Sequence, residues 1–133
     1  MGIGVDLIEP CGFVFGDRRL RRAGMDYLAR LDLNRHTSWE TYRETRARGR
    51  SGRLVLLTTH ADMVYTAFHF DAEDTLMVGR ESGGVPEPVH RAADARLHVP
   101  MAPDNRSLNV AVAAAMVLGE ALRQTGRFPE RAE

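Results

Sequence analysis

The clearest regularity along the chain is Leu54-Val55-Leu56-Leu57-Thr58-Thr59, where apolar residues occupy both faces of an extended segment instead of alternating with polar ones. A strand apolar on both faces belongs in a sheet covered on both sides, the usual setting of parallel strands. Shorter stretches at Val5–Glu9 (ended by Pro10), Leu31–Asn34, Thr75–Gly79 and Arg96–Val99 predict further strands. Helical patterns fall between them. Asp17 is placed to cap a short helix through Arg22, with Gly24 just past its end. Thr37 and Glu40 have capping-box spacing, and the helix they start should reach Gly49. Pro86 suits the first turn of a helix extending to about Ala93. Leu108–Gln124 is the longest helical pattern, closed by Gly126. Strands alternating with helices predict an α/β fold with a mostly parallel sheet and helices on both faces. Trp39, Tyr42 and Phe68 are expected to fill core or interface.

Composition narrows the classes. A chain of 133 residues is one domain's worth, and 44% hydrophobic with 27% charged residues fits a globular protein. No apolar run approaches the ~20 residues of a membrane span, and the start lacks the pattern of a signal peptide. Cys11 is the single cysteine, which excludes a disulfide framework and a thiolate metal site. The five histidines, His36, His60, His69, His90 and His98, have no metal-ligand spacing and receive no role. No membrane, no metal and a cytoplasmic location are therefore expected.

Net charge is zero, so no global basic footprint marks a nucleic-acid binder. All 18 basic residues are arginine, a usage that is informative only where it clusters. The local cluster is Arg18-Arg19-Leu20-Arg21-Arg22, either a solvated face or a phosphate-binding surface.

Two segments carry candidate chemistry. Leu76 to Pro86 is a glycine-rich strand-to-helix loop, of the kind that lets backbone N–H groups approach a ligand, although plain turns share that composition. Val99 to Ala115 runs from a strand through a polar loop into an alanine-rich helix. Helix propensity explains the alanines, and Ser107 could serve as an N-cap.

Gly79-Arg80-Glu81-Ser82-Gly83-Gly84-Val85-Pro86 resembles the second motif of the SPOUT (SpoU/TrmH-like) RNA ribose 2′-O-methyltransferases, usually Gly-Pro-Glu-x-x-Gly-Leu-Pro. Val99-Pro100-Met101 followed by Ser107-Leu108-Asn109-Val110-Ala111-Val112-Ala113 resembles the third. Ile8-Glu9-Pro10 with Gly12-Phe13, and the segment Asp17 to Tyr27, are similar to the small single-domain enzymes that methylate the wobble nucleoside of tRNA. The resemblance covers about residues 3 to 127.

The resemblance implies a C-terminal trefoil knot whose loops hold S-adenosylmethionine. By motif position Leu57, Gly79, Val99, Met101, Ser107 and Leu108 would line that pocket, with Gly79 leaving space for the ligand. Glu81 and Asn109 would brace its loops, and Arg18, Arg21, Arg22 and Arg106 would contact RNA. It further implies a tRNA substrate and a homodimer formed through the last helix, where Ala111, Ala114, Ala115 and Gly119 allow close approach.

The sequence also departs from the family. Arg80 replaces the usual proline, Gly83 stands where many relatives carry arginine, and Gly119 precedes Glu120-Ala121 where relatives often have tyrosine. The first motif, Asn-x-Gly-x-x-x-Arg, is not found, so the catalytic arginine is assigned to no residue. The expectation is a single methyltransferase domain over 1–133, N-terminally truncated, lacking the first strand and helix, and poorly active as written. A ribosomal RNA 2′-O-methyltransferase and a catalytically inactive knotted dimer are the alternatives.

Overall fold

A computed structural model describes residues 5–8, 33–49, 52–79, 84–101 and 110–129. The chain divides into two compact units, residues 1–50 and 51–133.

In the first unit, β1 (Val5–Ile8) and β2 (Leu33–His36) pair in parallel, Val5 opposite Leu33 and Ile8 opposite His36. The second strand thus begins two residues later than its pattern suggested. His36 Nε2 lies 3.0 Å from Asp6 Oδ1 and ties the two strands through side chains. Helix α1 (Trp39–Gly49) follows. Its cap is Ser38, not Thr37: Ser38 Oγ accepts the Thr41 N–H at 3.1 Å and meets Thr41 Oγ1 at 2.9 Å. A hydroxyl one residue further along reaches the orphan amide of the first turn, and Glu40 takes no part in the cap. Tyr42 is buried, packed edge-on to His36 and stacked on Trp39.

In the second unit, β3 (Leu54–Leu57), β4 (Met63–Val64), β5 (Thr75–Met77) and β6 (Ala95–His98) form one sheet in the order β4-β6-β3-β5, every pair parallel. The segment apolar on both faces is the inner strand β3, where Leu54, Val55 and Leu56 are all buried. Val55, Phe68 and Leu97 make the core cluster, with Tyr65, Phe70, Leu76 and Ala95 against it. Full burial of such side chains contributes about 1.5–3 kcal/mol each. The two-residue strand β4 and the 3₁₀ turn Tyr65–Ala67 have no counterpart in the pattern reading. Helix α2 (Glu87–Ala92) takes Pro86 as its N-cap, so Pro88 is the first-turn proline. Helix α3 (Val110–Thr125) buries Val117 and Leu122. It closes as the sequence suggests: Gly126 has φ +69°, and the Arg127 N–H reaches Leu122 O at 3.0 Å, a Schellman bond. The predicted helix from Asp17 to Arg22 lies outside the described residues.

Candidate functional site

The starts of the strands are fastened by the residue just before each one. Arg53, ahead of β3, donates two hydrogen bonds to the Asp74 carboxylate (2.8 and 2.7 Å) and one to His69 O (2.9 Å). Its guanidinium lies 4.6 Å over the Phe68 ring, and bonding to Asp74 holds its pKa above the usual value. Asp74, ahead of β5, also accepts the Asp71 N–H at 2.8 Å. Asp94, ahead of β6, accepts the Leu54 N–H on its carboxylate (2.7 Å) and donates its own N–H to Leu54 O (2.8 Å).

With the starts in register, β6, β3 and β5 also end in step. Leu56 is opposite Met77, and Leu57 is opposite Leu97. The Thr58 N–H adds one further bond to Leu97 O at 2.9 Å. Leu57 at the end of β3, Gly79 just past β5, and Val99 with Met101 just past β6 therefore come to one carboxyl edge of three adjacent strands. Such an edge is where parallel sheets take ligands. Leu57, Val99 and Met101 are half-buried there, and Val78 is exposed. Ser107, Leu108, Asn109, Glu81, Arg18, Arg21, Arg22 and Arg106 lie outside the described residues.

At Gly79 the fold itself requires glycine. A Cβ built on it would stand 2.5 Å from Gly84 C and 2.8 Å from Gly84 O, closer than side chains come to backbone. The space beside Gly79 is filled by the backbone of Gly84, which itself has φ +63°. The two glycines thus form a neck, and any side chain at Gly79 must push the Gly84 backbone away.

Helix α2, which follows the neck, is finished by Arg96. Its Nε donates to His90 O (2.8 Å), and the same guanidinium reaches Arg91 O (3.2 Å) and Ala93 O (3.3 Å). Those carbonyls are the orphan acceptors of a helix end, met here by a cation instead of a C-cap glycine. Around Arg96 the structure gathers His60, Asp62 and His90, which sequence reasoning left without a role. The available signal was position: His60 and Asp62 directly follow the carboxyl end of β3, beyond the last residue considered there.

At the far end of α3, Gln124 clasps the segment after the 3₁₀ turn. Its amide accepts the Phe70 N–H (2.8 Å) and donates to Phe68 O (2.9 Å) and to Glu120 Oε2 (2.9 Å). Glu120 also receives two bonds from Arg123 (2.8 and 2.9 Å), and bonds from Arg123 and then Gln124 hold its pKa down at about 2. Among the described residues no helix is long and apolar enough to cross a membrane, and no group of His, Cys, Asp and Glu is placed to hold a metal ion.

The sequence and the fold have counterparts in known proteins. The profile of the SpoU rRNA Methylase family matches residues 1–119. A protein of Beijerinckia indica subsp. indica named tRNA (cytidine(34)-2′-O)-methyltransferase is 57% identical over 127 residues, which make up 95% of this chain and 78% of that protein. A solved structure described as giving insights into the 2-OH methylation of C/U34 on tRNA has a TM-score of 0.82 at 36% identity, covering 91% of this chain and 78% of that one. The methyltransferase AviRb from Streptomyces viridochromogenes, solved with the cofactor AdoMet, has a TM-score of 0.76 at 29% identity, covering 91% of this chain and 49% of that one. With its parallel strands ending together beside a glycine neck, and with the family profile spanning both units, this chain belongs to the SpoU rRNA methylase family.

Proposed function

We propose that this chain transfers a methyl group from S-adenosylmethionine to a ribose 2′-hydroxyl of tRNA, at the wobble nucleoside. The observation that carries the reading is the shared carboxyl edge of β6, β3 and β5, at or just past which Leu57, Gly79, Val99 and Met101 fall. Relatives over nearly the whole chain that are named for that reaction support it.

The residues present suit the cofactor. Half-buried Leu57, Val99 and Met101 offer apolar surface to an adenine, and the Gly79–Gly84 neck presents backbone at close range. Ser107 and Leu108 would complete the pocket, with Glu81 and Asn109 bracing its loops. When bound, S-adenosylmethionine supplies an electrophilic methyl carbon on a sulfonium. The protein's task is to hold the 2′-oxygen in line with that carbon while the hydroxyl proton leaves. Arg18, Arg21, Arg22 and Arg106 are assigned to RNA phosphates, which position the substrate without reading its sequence.

A trefoil knot in the C-terminal part and a homodimer belong to the same reading. The sheet order, with β6 inserted between β3 and β4, is compatible with a threaded chain. For the dimer, α3 exposes Ala111, Val112, Ala115 and Met116 along one face, with Val112 at 50% and Met116 at 41%.

The test is methyl transfer from labelled S-adenosylmethionine to an unmodified tRNA transcript, followed by nucleoside analysis. Label in a 2′-O-methyl nucleoside at the wobble position is expected. Label at another position, or none, overturns the assignment.

A further inference from the structure

A cavity of about 420 Å³ opens beside the short strand β4, lined by His60, Ala61, Asp62, Met63, His90 and Arg96. Its polar groups are only partly used by the protein. Arg96 spends Nε and one terminal nitrogen on the α2 carbonyls, leaving the other terminal nitrogen unused among the described residues. Among the described residues, the His60 ring and the Asp62 carboxylate, both exposed, enter no hydrogen bond or ion pair. His90 Nε2, shut off from solvent, has no hydrogen-bond partner among the described residues, so His90 offers the cavity its ring and not that nitrogen.

The mix of groups selects the ligand's chemistry. A metal is not favoured, because these side chains are not gathered as a ligand set. A bare phosphate would suit Arg96 and the imidazoles but would face the Asp62 carboxylate. A planar edge with donors beside acceptors suits all of them: the carboxylate accepts from an amino group, and the guanidinium donates to a ring nitrogen or carbonyl. Met63, 47% exposed, and the imidazole rings add apolar and π surface for a flat ligand.

Position selects its source. Met63 is in register with Leu97, and so with Leu57, at the level where the strands end. The cavity is thus about one strand spacing, ~5 Å, to the side of β6, whose continuation, Val99 to Met101, forms part of the cofactor edge. On the proposed reading, that puts it within reach of a nucleotide adjacent to the one being methylated. We infer that this cavity takes an unpaired nucleobase carrying an exocyclic amino group, from a nucleotide flanking the methylated one. This rests on the reading of the chain as a tRNA methyltransferase.

The experiment titrates fluorescently labelled, unmodified tRNA with the full chain, with the double variant His60→Ala/Asp62→Ala, and with Asp62→Asn. Each is repeated on tRNAs made abasic in turn at the positions flanking the wobble nucleoside. The double variant should bind tRNA about tenfold more weakly, the scale of one lost base contact, with S-adenosylmethionine affinity unchanged. One abasic position should cost the wild type the same factor and cost the double variant nothing more. Asp62→Asn keeps the size and adds a donor, and should relax the preference for an amino-bearing base at that position. Equal tRNA affinity of wild type and double variant, or losses that simply add, would overturn the inference. If wild type and double variant methylate tRNA equally well, this inference falls and the methyltransferase reading stands. A wild type that neither binds nor methylates tRNA overturns both.

Discussion

The two ends of the parallel sheet in residues 51–133 are built from opposite materials. At the amino ends, Arg53, Asp74 and Asp94 spend charged side chains on backbone groups and on each other. At the carboxyl ends, Leu57, Val78, Gly79, Val99 and Met101 present apolar side chains or none. The first end fixes strand register through bonds of the folded chain to itself. The second, where the proposed cofactor would bind, offers apolar surface and glycine backbone instead.

The sharpest way to break the contrast is Asp74→Ala. It removes two bonds from Arg53 and one from the Asp71 amide, and should cost about 2–4 kcal/mol of stability in urea titration. S-adenosylmethionine affinity, corrected for the folded fraction, should change little. Gly79→Ala is the mirror experiment. Overlap should displace the Gly84 backbone and weaken binding of the proposed cofactor by about 10- to 100-fold in calorimetry, while the urea midpoint shifts far less than for Asp74→Ala. If the two variants give the same pattern, the division between the ends is wrong. Asp94→Ala should lower stability by about 1–2 kcal/mol, because the Leu54 amide loses its acceptor. Loss of the β3–β6 register in that variant would appear as faster exchange of the Thr58 amide.

The smallest effect is one of pH. With its folded pKa held at about 2 against an ordinary 4.5, Glu120 contributes stability that is complete above pH 4.5 and disappears as pH falls to about 2. Glu120→Gln should therefore flatten the acid limb of the stability–pH curve in that window, leaving the curve's shape near neutrality unchanged. An acid limb identical to that of the parent chain would assign the effect to other carboxylates.

What the sequence disclosed follows from which interactions are local. The inner strand β3 was legible because burial on both faces leaves an uninterrupted apolar run. The α3 terminus was legible because Gly126 marks a left-handed turn within a few residues of the helix. The strand-end positions of Leu57, Gly79, Val99 and Met101 were legible because motif spacing follows the strands, although the need for glycine at 79 depends on Gly84 folding back against it. The two-residue β4 carries no periodicity and was missed. The choice of Ser38 over Thr37 turned on which hydroxyl reaches the first-turn amide. The cavity escaped notice because residues 60–63, 90 and 96 converge only in the folded sheet.

The order of strands in space also has a consequence in time. Among the described residues, strand β4 hydrogen-bonds to β6 alone, and β6 comes some thirty residues later in the chain. A strand of two residues has no partner until that later segment arrives, so Met63 and Val64 must wait through the formation of β5, the glycine neck and α2 before they can join the sheet. Closing a loop of this length is modest in entropy but sets a sequence of events. During synthesis or refolding, β3 and β5 can meet first, β6 must then settle beside β3, and only afterwards can β4 complete the edge. Protection of the strand amides from solvent exchange should therefore develop from the middle of the sheet outward, with the wall of the cavity that Met63 lines among the last parts to become fixed.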